Sequence, residues 1–149
     1  MSEQNREKTG TEYPQLQLDG QICFPLYACA RETIKLYKPH LDELDLTYTQ
    51  YIAMMVLWEK KSVTVKELGE ALYLDSGTLT PLLKKMEAKG LLSRRRSEQD
   101  ERSLIVTLTE QGEALKEKAI SVPYEMASCV RLDPDEAKEL YRLLYKLLK

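Results

Sequence analysis

Val63-Thr64-Val65-Lys66-Glu67-Leu68 opens the stretch that decides the fold, residues 63 to 108. Thr64 and Glu67 stand three apart, the spacing of an N-terminal capping box, so a short helix starts there and breaks near Tyr73-Leu74. A second helix begins within Asp75-Ser76-Gly77-Thr78-Leu79-Thr80-Pro81. Pro81 has no amide proton and its ring clashes one turn back, which places it near that helix's first turn. Leu82, Leu83, Met86 and Glu87 carry the helix to Lys89-Gly90, where glycine suits a C-terminal cap. Two strands follow, Leu91 to Arg96 and Ser103 to Leu108, with Ser97-Glu98-Gln99-Asp100-Glu101-Arg102 as the hairpin tip. This order predicts a mainly α fold with a small β-hairpin wing, a winged helix-turn-helix over residues 48–108.

In that geometry the second helix enters the major groove of double-stranded DNA, and the wing reaches the backbone or minor groove. Ser76, Gly77, Thr78 and Thr80 are short enough for close approach, and backbone amides at a helix N-terminus favour phosphate. Lys84 and Lys85 lie one turn on, and Arg94, Arg95, Arg96 and Arg102 load the wing with planar donors. The net charge of −2 and pI near 5.6 do not suit a uniformly basic nucleic-acid binder. Residues 84–102 nevertheless hold seven Lys/Arg against four Asp/Glu, a local excess of three positive charges. A basic face on an acidic chain permits groove binding and limits non-specific sticking.

At 149 residues the chain is expected to form one domain, residues 16–149, behind a polar tail, 1–15, that has no signal-peptide pattern. Ile52 to Trp58 is the longest apolar run, too short for a bilayer. Three cysteines without a C-x-x-C pair point to the reducing cytoplasm, and the single histidine, His40, argues against a zinc site. No cofactor is implied. Leu16, Cys23, Tyr27, Ala30, Ile34 and Tyr37 make the stripe of an amphipathic helix. Thr47 and Gln50 are a second capping box, before a nearly all-apolar core helix. Thr109 starts another helix, which Pro123 is expected to bend, and Asp133, Pro134 and Glu136 start the last. The outer helices, 16–38 and 110–149, carry more apolar surface than a small winged core absorbs, which predicts dimerisation helices and a homodimer.

Tyr73-Leu74-Asp75-Ser76-Gly77-Thr78-Leu79-Thr80-Pro81-Leu82-Leu83-Lys84, Asp100-Glu101-Arg102 and Leu108-Thr109-Glu110-Gln111-Gly112 resemble the MarR family of bacterial regulators. Gln21-Ile22-Cys23-Phe24, Leu26-Tyr27 and Leu46-Thr47-Tyr48-Thr49-Gln50-Tyr51 resemble its organic-hydroperoxide repressor branch and the staphylococcal thiol sensors. The likeness runs from Leu18 to the C-terminus. It implies a repressor that leaves operator DNA when a cysteine is oxidised by an organic hydroperoxide or another oxidant. It also implies DNA contacts from Ser76, Thr78, Thr80 and Lys84, and a minor-groove Arg102 steadied by Asp100.

Cys23 lies near a helix N-terminus if Asp19 caps it, and the positive end of the helix dipole favours the thiolate that peroxides oxidise. The family places phenols matching Tyr37 and Tyr48 on the reactive sulfur. Tyr37 is fourteen residues beyond Cys23, about 21 Å along one helix, so its contact would come from the other subunit. Cys29 stands about 9 Å along the helix from Cys23, beyond the reach of roughly 7 Å that a disulfide tolerates. The resemblance implies the two-cysteine type, with Cys129 of the other subunit as resolving thiol; a mixed disulfide with a small thiol is the alternative. Pro25 is expected to remove the bond to the Gln21 carbonyl and kink the helix. Two further readings stay open: a MarR-type regulator answering to an aromatic ligand, and a small thiol peroxidase, which would leave the winged unit unexplained.

Overall fold

A computed structural model describes residues 13–149, so most of the polar segment 1–15 lies outside the described residues. The chain divides into two compact units after Lys35. In the first, Pro14–Leu16 and Leu18–Gly20 form 3-10 turns, and the Gln21 side-chain Nε2 donates to the Gln15 and Gln17 carbonyls at 2.8 and 3.2 Å. Helix α1 spans Cys23–Asp42 rather than the expected 16–38. Asp19 therefore sits in a 3-10 turn and caps nothing, while Cys23 is the first residue of α1. Pro25 falls in the first turn, where an amide has no intrahelical acceptor to lose, and the Gln21 carbonyl instead accepts from Phe24 N–H at 3.2 Å. The proline inside the ladder is Pro39, and α1 continues past it to Asp42.

The second unit begins within α1. Helix α2 spans Tyr48–Lys60 behind a complete capping box of Thr47 and Gln50. Strand β1, Ser62–Thr64, leads into α3, Val65–Leu72, whose box of Thr64 and Glu67 forms as its spacing predicts. Tyr73 ends α3 in the left-handed region, φ 55°. Helix α4, Ser76–Ala88, is capped by the Asp75 carboxylate, so Pro81 is its sixth residue, inside the helix and past the first turn. Gly90 follows at φ 75°, a conformation open to glycine without strain. Strands β2, Leu92–Arg96, and β3, Leu104–Leu108, form the wing, and the unexpected β1 joins β3 to give an antiparallel sheet in the order β1-β3-β2.

Met54, Leu57, Leu68, Leu79, Leu83, Met86, Leu92 and Val106 are at most 2% exposed, each contributing about 1.5–3 kcal/mol of burial. They lock α3 and α4 onto α2 and the root of the wing. Helix α5 spans Glu110–Ala119 behind the Thr109 cap, and α6 spans Val122–Ala127. Pro123 is the second residue of α6, so it marks a break rather than the expected bend. Gly112 lies so close to the Leu91 carbonyl that a Cβ there would overlap it and meet Leu108 Cδ1 at 2.7 Å. Helix α7, Pro134–Leu147, starts at the full box of Asp133 and Glu136 and buries none of its residues within the chain. Among the described residues no helix is long and apolar enough to cross a membrane.

Candidate nucleic-acid interface and redox site

The front of α4 is built by its cap. Asp75 accepts the Thr78 N–H at 2.8 Å, and that bond, followed by the Thr78 hydroxyl, holds its carboxyl below the usual range. Ser76, Gly77, Thr78, Thr80 and Lys84 are all exposed on this helix. The Thr78 hydroxyl donates to Asp75 Oδ2 at 3.3 Å and the Thr80 hydroxyl to the Ser76 carbonyl at 2.8 Å. A groove of about 750 Å³ separates α3 and α4 from the wing, with Lys66, Tyr73, Ser76, Thr80, Asp100 and Arg102 in its walls.

The wing tip is shaped by side-chain-to-backbone bonds. Asp100 Oδ1 accepts the Arg102 N–H at 3.0 Å, and the Asp100 carbonyl accepts the Ser103 N–H at 2.8 Å. Asp100 thus steadies the Arg102 backbone, and Arg102 itself is exposed. Arg96 is exposed and its Nη1 donates to the Glu101 carbonyl at 3.2 Å. Arg94 departs from the expectation of a DNA-facing donor. Its side chain is 18% exposed, and Nε and Nη2 donate to Glu87 Oε2 at 3.1 and 2.9 Å. Glu87 was not foreseen as part of the site, because nothing in a seven-residue spacing across a turn marks a pair.

The three thiols are exposed. Cys129 follows α6, and its Sγ–H donates to the Glu125 carbonyl at 3.6 Å. Tyr37 and Tyr48 come together in one protomer, ring centroids 4.9 Å apart. Tyr51, expected only as core, adds a third ring 5.9 Å from Tyr37. Burial, then Tyr48, pushes the Tyr37 phenol up; burial, then Tyr37 and Tyr48, does the same for Tyr51. Both rings therefore stay protonated hydrogen-bond donors through the neutral range. The turn between α1 and α2 carries Asp45 at φ 52°, whose carboxylate pairs with Lys89 at 3.0 Å and whose carbonyl also accepts from that ammonium. Behind Tyr51, Trp58 Nε1–H donates to the Gly112 carbonyl at 2.9 Å. Among the described residues no group of three or more His, Cys, Asp or Glu side chains is placed to hold a metal ion.

Two helices joined by a short turn, the second with an exposed, capped N-terminus, and an arginine-bearing hairpin define a winged helix-turn-helix protein. The family described as transcriptional regulator SarA/Rot matches residues 35–119. An organic hydroperoxide resistance transcriptional regulator of Bacillus subtilis is 50% identical over 138 residues, 93% of this chain and 94% of that one. The HTH-type transcriptional regulator SarZ of Staphylococcus aureus is 43% identical over 83% of each chain. AbfR of Staphylococcus epidermidis, reduced and bound to DNA, matches with a TM-score of 0.74 at 36% identity over 90% of this chain and 93% of its own. Its disulfide-formed structure matches at 0.63 over 91% and 95%. This chain belongs to the MarR family of winged-helix transcriptional regulators, on the organic-hydroperoxide-resistance branch. These relatives are regulators of transcription, not enzymes.

Proposed function

We propose that this protein is a redox-sensing repressor, a cytoplasmic homodimer that holds double-stranded operator DNA when reduced and releases it when Cys23 is oxidised by an organic hydroperoxide. The observation that carries the reading is the pair of adjoining phenol rings, Tyr37 and Tyr48, in a chain whose longest helix opens at an exposed cysteine. The names of the relatives add support. One is called an organic hydroperoxide resistance regulator, and AbfR has reduced DNA-bound, overoxidised DNA-bound and disulfide-formed structures. Ser76, Gly77, Thr78, Thr80 and Lys84 take the major groove, and Arg102 with Arg96 takes the minor groove or flanking phosphates.

In the chemical step the Cys23 thiolate attacks the terminal oxygen of the hydroperoxide and the O–O bond breaks. The alkoxide leaves, takes a proton and departs as an alcohol, and sulfur, oxidised by two electrons, becomes sulfenic acid. The thiol of Cys129 from the other subunit then displaces the sulfenic hydroxyl as water and closes an intersubunit disulfide. Where a small thiol arrives first, the same displacement gives a mixed disulfide. Tyr37 and Tyr48 of the partner subunit donate hydrogen bonds to the Cys23 sulfur before oxidation and lose that acceptor afterwards.

The test is binding of the purified protein to a sequence-selected duplex before and after one equivalent of cumene hydroperoxide, with non-reducing electrophoresis alongside. Reduced protein binds, oxidised protein releases, and Cys23→Ser binds in both conditions. Release that survives Cys23→Ser points instead to an aromatic ligand. A cavity of about 300 Å³ walled by Tyr51, Met55, Trp58 and Tyr124 is the place such a ligand would fill.

A further inference from the structure

Strand β2 is an edge of the sheet, so alternate backbone N–H groups along it point away from β3 and have no ladder partner. Arg94, opposite Val106, lies in the middle of that strand. Its outward N–H donates to Glu87 Oε1 at 2.9 Å, and its guanidinium holds the other oxygen of the same carboxylate. One side chain near the end of α4 thus takes the N–H at the middle of the wing's open edge and pairs the guanidinium of the same residue. Because both carboxylate oxygens are used, β2 can neither slide along its axis nor roll against α4 without breaking a charge-assisted bond. The wing tip begins three residues further on, about 10 Å along the strand, and carries Arg102.

We infer that Glu87 and Arg94 are positioning residues for DNA recognition: they fix the distance and angle between the helix in the major groove and the wing, and Arg94 does not touch DNA. The inference rests on the DNA-binding reading above. It differs from a phosphate contact in what salt does. A phosphate-bound arginine releases counterions and contributes about one unit to the salt slope, whereas an arginine neutralised by Glu87 contributes none.

The test selects a duplex from a random library on the wild-type protein and compares it with a shuffled duplex of equal length. Arg94→Ala and Glu87→Ala should each weaken the selected duplex about tenfold, the worth of one charge-assisted bond. In Arg94→Ala the salt slope and the affinity for the shuffled duplex should stay as in wild type. The double variant should be no weaker than either single one, and Arg94→Lys should recover part of the loss. A slope reduced by one unit in Arg94→Ala, with equal losses on both duplexes, makes Arg94 a phosphate contact and overturns the inference. So does Glu87→Ala binding like wild type. Should Glu87→Ala fail to fold, Glu87→Gln decides: it keeps the acceptor for the Arg94 N–H and loses the ion pair, so a loss confined to the selected duplex supports the role and wild-type binding ends it. A wild-type protein that enriches no sequence overturns the DNA-binding reading itself, and this inference with it.

Discussion

Arg102 is anchored through its backbone N–H on Asp100, while the residue as a whole is exposed at the wing tip. Replacing it by alanine keeps the backbone bond and removes only the guanidinium. Arg102→Ala should therefore weaken operator binding by about 1–3 kcal/mol and lower the salt slope by roughly one unit. A salt titration superimposing on wild type would remove Arg102 from the interface. The cysteines divide in a comparable way. Cys129→Ser should still form sulfenic acid at Cys23 but no covalent dimer, and should drift to sulfinic acid unless a small thiol is added. Cys29→Ser should behave as wild type. Intact mass and non-reducing electrophoresis read both, and a covalent dimer lost only in Cys29→Ser would transfer the resolving role to Cys29.

At the level of elements, the tightest junction is α5 against the hinge between α4 and the wing. Gly112 abuts the Leu91 carbonyl, the Trp58 indole bonds the Gly112 carbonyl, and the Thr109 hydroxyl bonds the Gly90 carbonyl. Gly112→Ala should cost about 1–3 kcal/mol by overpacking, lowering Tm by several degrees; an unchanged melting curve would mean the hinge yields. Most elements were legible because their signals are local. Thr47, Thr64 and Asp133 each reach a partner three residues away, and Gly90 marks a stop by its own conformational freedom. What stayed hidden is non-local or positional. Strand β1 is three residues long and exists only by pairing with Ile105, Val106 and Thr107, more than forty positions on. Arg94 shows its charge in the sequence and its partner only in space. Pro25 and Pro81 were misplaced because a proline's effect depends on where its helix starts, and helix starts shift by several residues under tertiary packing.

For the whole molecule, the unburied apolar residues are concentrated at the two ends of the chain. Ile22, Phe24, Leu26 and Tyr27 lie exposed at the start of α1, and Leu140, Leu143, Leu144 and Leu147 along α7. Leu144→Asp should leave the protomer folded, since that side chain supports no core of its own chain. It should raise the dimer dissociation constant at least about tenfold, because a carboxylate would have to be desolvated between subunits. Sedimentation velocity checks the prediction, and an unaltered dimer would exclude this face of α7. A twofold pair of chains would also present the front of α4 twice. The Thr78 and Thr80 hydroxyl protons are given to Asp75 and Ser76, so on the proposed seating the oxygens meet the bases as acceptors. Acceptors call for exocyclic amines, which in the major groove only adenine and cytosine offer. The operator should then be an inverted repeat with one of these bases under each helix tip. Exchanging such an adenine for purine, which lacks the amine, should weaken binding in both half-sites, whereas 7-deazaadenine, which keeps the amine, should not.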